Sequence, residues 1–192
     1  LNNLPVNEQW NYTLGGTWKR FFDNSNLFMV ISRSHLNNTA VKYEDYADLS
    51  SPKIIDYESQ EIENKSRIEY NFRENNIKFN VGLNLEDATY LNSTQRILTS
   101  GDSIYTKLVE TDLHFIKYGA FAQLSKTYLV DRLVTSIGFR MDGNSFTENT
   151  TTPNFSPRLS FSYKLSGKSS LNANLGRFYQ LPAYTILGYG IN

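Results

Sequence analysis

Between Leu133 and Asp142 the chain reads LVTSIGFRMD. Leu133, Ile137, Phe139 and Met141 fall in one register with Thr135, and Ser136, Gly138, Arg140 and Asp142 fall in the other. A period of two is that of a β-strand with two unlike faces. The same alternation recurs along the chain. In residues 9–22, Trp10, Tyr12, Leu14 and Trp18 alternate with Asn11, Thr13, Thr17 and Lys19. LFMVISRSHL (27–36) is blurred by an apolar run, and SRIEYNF (66–72) and IKFNVGLNLE (77–86) follow. FIKYGAFAQLSK (115–126), PRLSFSYKL (157–165) and SLNANLGRF (170–178) complete about eight strands. Turn chemistry occupies residues 23–26, 73–76, 128–131 and 166–169,. The polar stretches 37–60, 87–112 and 143–154 read as long loops. FYQLPAYTILGYG (178–190) leaves the pattern, and no segment has a helical period. Short turns join only antiparallel neighbours, so the expectation is an all-β, antiparallel, up-and-down sheet.

Alternation alone fits a soluble β-sandwich binding module as well as an outer-membrane barrel. Three features favour the barrel. Short and long connections alternate, as periplasmic turns and external loops do. Trp18, Phe21, Phe22, Tyr70, Phe72, Tyr128 and Tyr163 lie beside the tight turns, where an aromatic girdle would meet the membrane interface,. The polar face (Asn80, Gly82, Asn84, Ser136, Gly138, Ser160, Ser162, Asn172, Asn174) is too small to fill an eight-stranded barrel,. The strands therefore read as an arc of a larger transmembrane β-barrel. Leu83, Ile137, Phe161 and Leu171 belong to its outer, lipid-facing side, and Asn80, Ser136, Ser162 and Asn172 to its inner side.

Composition narrows the function. Lys and Arg total 19, as do Asp and Glu, so no cationic excess points to nucleic acid,. There is no Cys, which removes disulfides and thiolate metal sites,. No apolar run is long enough for a transmembrane helix, and no signal peptide opens the chain,. It starts LNNLPVNEQWNY and ends YTILGYGIN, which reads as a fragment: residues 1–192 as one partial barrel domain.

YGAFAQ, the DRL…GFRMD hairpin, SPRLSFSY and GRFYQLP resemble the barrel of TonB-dependent outer-membrane receptors, in particular those of Bacteroidetes type. YTLGGTWKRFF and DYESQEIENKSRIEYNF are compatible. The resemblance implies a 22-stranded barrel in a Gram-negative outer membrane, filled by an N-terminal plug domain. It implies import of a scarce nutrient (siderophore, cobalamin, glycan or peptide) driven by TonB through a segment before the plug. Plug, TonB-binding segment and closing strand are expected outside this chain. The other classes left open are an adhesin or membrane-embedded enzyme barrel, and the soluble sandwich.

No catalytic constellation stands out, and no cofactor is expected. His35 and His114 are far apart in sequence and lack metal-ligand spacing,. Glu44, Asp45 and Asp48 read as a solvated loop rather than a cation site. By parity, Arg67, Glu69, Arg140, Asp142, Arg158 and Lys164 are the lumen-facing candidates, with mutual pairing across neighbouring strands as their plainest role,.

Overall fold

The computed structural model describes residues 4–45, 49–100, 103–146 and 153–189. Eight strands form one antiparallel sheet in chain order: β1 (Val6–Phe21), β2 (Ser25–Tyr43), β3 (Lys53–Glu74), β4 (Ile77–Ser100), β5 (Ser103–Tyr128), β6 (Leu133–Asn144), β7 (Asn154–Ser166) and β8 (Ser169–Gly176). Each pairs with its sequence neighbours, so the described residues form a meander and not two packed sheets. One short helix follows, α1 (Tyr184–Tyr189). No helix among the described residues is long and apolar enough to cross a membrane.

The tight turns occur where expected, and all lie at one end of the sheet. Asn75 takes a left-handed conformation (φ 48°), which asparagine tolerates,. Leu129, Val130 and Asp131 are also left-handed (φ 56°, 51° and 63°), although a β-branched residue strongly resists that region,.

At the other end the structure corrects the sequence reading. Residues 37–60 and 87–112 are mostly strand, not loop. β2 runs on to Tyr43, β3 starts at Lys53, and β4 and β5 are parted only by residues 101–102. The strict alternation of short and long connections therefore fails at β4–β5; what grows toward this end is strand length. β4 has 24 residues. At about 3.3 Å per residue and a tilt near 40°, such a strand rises roughly 60 Å, more than twice the ~25 Å apolar band of an outer-membrane barrel. Half of loop 143–154 lies outside the described residues, as does Asp48 of the acidic loop.

Register fixes the two faces, because paired residues point the same way. One face carries Leu14, Ile31, Ile68, Leu83, Ile137, Phe139, Phe161, Leu171 and Leu175. These side chains are exposed: Leu14 at 73 %, Leu83 at 57 %, Leu175 at 75 %. By contrast, the buried apolar core of the described residues is Ala88, Tyr90, Leu113 and Phe115. An exposed apolar face of this extent is not stable in water and requires an apolar surround. The opposite face holds Asn80, Ser136, Ser162 and Asn172 and lines a concavity of about 1040 Å³ together with Lys19, Arg67 and Arg158. The apolar face is thus the convex one.

Candidate functional site

On the convex face the apolar band stops along a single line. Below it lie Leu14, Ile31, Ser66, Leu85 and Ile116; immediately above it, Tyr12, Arg33, Asn64, Asp87 and His114. The upper row is joined by hydrogen bonds. Arg33 donates to the Tyr12 hydroxyl (3.2 Å) and to Asn64 Oδ1 (2.9 Å). Asn64 donates to Asp87 (3.2 Å), which lies 2.7 Å from His114 Nε2. His35 sits one step higher, edge-on to Trp10 (4.7 Å) and near Gln60 (3.1 Å). Both histidines therefore belong to this outer polar and aromatic belt. At the turn end Trp18, Tyr70, Phe72, Tyr128 and Tyr163 share the convex face, as a girdle requires. Phe21 does not: it lines the concavity with Lys19 4.8 Å above its ring, whereas Phe22 follows the register of Trp18 with Arg20 5.2 Å above its ring.

The concave face has two tiers. In the lower tier Arg67 bonds Glu69 (2.6 Å), Asn80 donates to Glu69 and to Asn71, and the Arg67 guanidinium lies 4.7 Å from the Phe121 ring. Phe121 can lie flat here because its partner is Gly82, where a Cβ would meet the ring at 2.6 Å. Arg140 makes a two-pronged pair with Asp142 (2.7 Å each) and reaches Asn84 across β5 (3.3 Å). Both expected pairings thus run along one strand, residue to residue plus two, instead of across strands. Arg158 stacks 4.8 Å over Phe178. Lys164 lies at the turn end of β7, opposite Ser170 and away from the concavity lining. The lining holds six cations (Lys19, Arg67, Arg73, Lys78, Arg140, Arg158) against Asp23 and Glu69, so this tier is basic.

The upper tier was not anticipated. Glu63 and Lys65 of β3, Glu86 of β4 and Lys117 of β5 form one charged cluster, closed by Tyr184 of α1. Lys65 bonds Glu63 (2.5 Å), and Lys117 pairs with Glu86 and with Glu63 (3.6 Å). The Tyr184 hydroxyl donates to Glu63 (2.5 Å) and accepts from Lys117 (2.6 Å). Burial, reinforced by the two carboxylates, pushes that hydroxyl far above the ordinary tyrosine range, so it remains a donor,. Sequence parity held a signal for this cluster: Glu63 and Lys65 continue the register of Arg67 and Glu69, and Glu86 that of Asn80 and Asn84. Reading these stretches as loop hid it.

The family model for "TonB dependent receptor-like, beta-barrel" matches residues 2–191. No curated protein matches the chain. Among solved structures, a chain titled "Copper transporter OprC" superposes with a TM-score of 0.67 at 14 % identity, over 91 % of this chain and 30 % of its own length. At that identity the likeness is one of fold. The chain spans less than a third of the OprC chain.

Proposed function

Because the chain belongs to the TonB-dependent receptor-like β-barrel family, a family of outer-membrane receptors and transporters and not of enzymes, we propose that it forms about eight strands of a larger barrel that imports a scarce nutrient. The remaining strands and the plug come from the rest of the parent protein, and TonB acts through a segment before the plug. The observation that carries the reading is the two-faced sheet: an exposed apolar band ended by a hydrogen-bonded polar row, opposite a wide, polar, basic concavity. A soluble module has no use for the first, and a filled eight-stranded barrel has no room for the second. The lower-tier residues Arg67, Glu69, Arg140, Asp142 and Arg158 then face the lumen and meet acidic groups of the plug or of the solute. Lys164 sits at the periplasmic rim. The solute class is a siderophore, cobalamin, a glycan or a peptide; a metal complex is compatible with the fold shared with the copper transporter. The test is uptake by cells carrying the whole protein, with TonB intact or deleted, over a panel of these four classes. Energy-dependent uptake of one class supports import. Binding to whole cells that is the same with TonB intact or deleted, with no TonB-dependent uptake of any class, points to adhesion instead.

A further inference from the structure

The strap formed by residues 177–189 departs from everything else in the sheet. β8 ends at Gly176, Arg177 N donates to Pro157 O, and the chain then crosses the concave face to lay α1 on β4 and β5. That crossing covers three to four strand spacings, roughly 14–19 Å. A helix of six residues has no stability of its own, so its docking holds it,.

The wall is built to receive it. Above the lower tier α1 sits on an apolar patch of the concave face: Ala88, Tyr90, Leu113 and Phe115, the buried core of the described residues. The Tyr184 ring packs 6.2 Å from Tyr90 and edge-on to Phe115 at 5.6 Å, while Phe146 covers Phe115 from the β6 side (5.7 Å). Gly188 brings the helix backbone against Thr111 and Tyr90, where any Cβ would meet Thr111 at 2.6 Å. Tyr184 then reaches past this patch into the Glu63, Glu86 and Lys117 cluster. Between strap and wall remains a pocket of about 410 Å³, lined by Tyr179, Gln180 and Tyr184 on one side and Asn84, Lys117 and Arg140 on the other.

We propose that residues 177–189 are a lumenal strap, latched by the Tyr184 hydroxyl to Glu63 and Lys117, that closes the upper half of the concave face over the pocket beneath it. Calling this a closure of the solute path rests on the import reading above; the docking and its latch do not. Undocking exposes the Ala88 to Phe115 patch to water and removes the hydroxyl that bridges Glu63 and Lys117, so the strap stays shut until something replaces the Tyr184 contacts.

This chain contains no cysteine, so once any thiol in the rest of the parent protein is changed to Ser the introduced one is the sole reporter. Ala88→Cys, at a fully buried position under the strap, is introduced into the whole protein in native membranes. Its reaction with a bulky, membrane-impermeant maleimide is timed. Asn172→Cys, on the concave face of β8 and away from the strap, is the control. The strap predicts slow labelling at Ala88→Cys. It predicts a rise of about tenfold or more when Tyr184→Phe removes charge-assisted bonds, and a similar rise with Gly188→Val, which wedges α1 off the wall by an independent route. Labelling at Asn172→Cys is unchanged in both. Fast labelling at Ala88→Cys without either variant overturns the proposal. So do an unchanged rate in Tyr184→Phe and a rise shared equally by Asn172→Cys, which would mean general loosening. None of these readouts involves transport, so a failed strap and a failed import assignment are told apart.

Discussion

At the scale of single residues, orientation decides cost. Leu83 points outward within the apolar band, and Asn80 points into the basic concavity beside Glu69. An Arg facing lipid near the bilayer midplane loses its water and costs about 2–4 kcal/mol. Leu83→Arg should therefore lower stability by that amount in urea titrations of the vesicle-embedded whole protein. Asn80→Arg should change it by well under half as much, because Glu69 and lumenal water remain available to the guanidinium. A second residue-scale expectation concerns the turn after β5. Val130 is left-handed and 96 % exposed, so it contributes strain and almost no packing. The left-handed region costs about 1–2 kcal/mol for an ordinary residue and less for asparagine. Val130→Asn should raise the urea midpoint, with a gain of up to about 1 kcal/mol; an unchanged or lower midpoint would show that the turn is not strained.

At the scale of elements, the strands were legible where their faces differ and illegible where they do not. Between Ile77 and Leu85 lipid on one side and water on the other write a clean alternation. Beyond Asp87 both faces of β4 are wet or packed against α1, so Thr89, Asn92 and Thr94 give no period although the backbone ladder continues unbroken to β5. A polar stretch with no alternation reads as loop for that reason. The outer belt is hidden for a related one: Tyr12, Arg33, Asn64, Asp87 and His114 are scattered over five strands, and only register brings them together, Arg33, Asn64 and Asp87 in one rung and Tyr12 and His114 in the next. The charged cluster needed α1, whose six residues are too few to show a helical period. On the proposed reading β4 leaves the bilayer above Leu85, and this has a measurable consequence. Thr89 shares the convex face with Leu83 but lies level with His114 in the belt. Thr89→Arg should cost about 0–1 kcal/mol, the interfacial figure, against the larger loss at Leu83. Equal losses at the two sites would place the membrane boundary higher than the belt.

At the scale of the whole molecule, one claim supports the rest: the convex face meets lipid and the concave face does not. From it follow the barrel reading, the lumenal role of Arg67, Glu69, Arg140, Asp142 and Arg158, and the position of the strap inside the barrel. A costly Leu83→Arg alone does not isolate this claim, since a soluble core would resist the same change. Direct contact does. A fluorophore is attached to Leu83→Cys or to Asn80→Cys, one site at a time, in the whole protein reconstituted into vesicles whose lipid tails carry a quencher. The account predicts strong quenching at Leu83→Cys and little at Asn80→Cys. Equal quenching at the two sites, or none at Leu83→Cys, would contradict it.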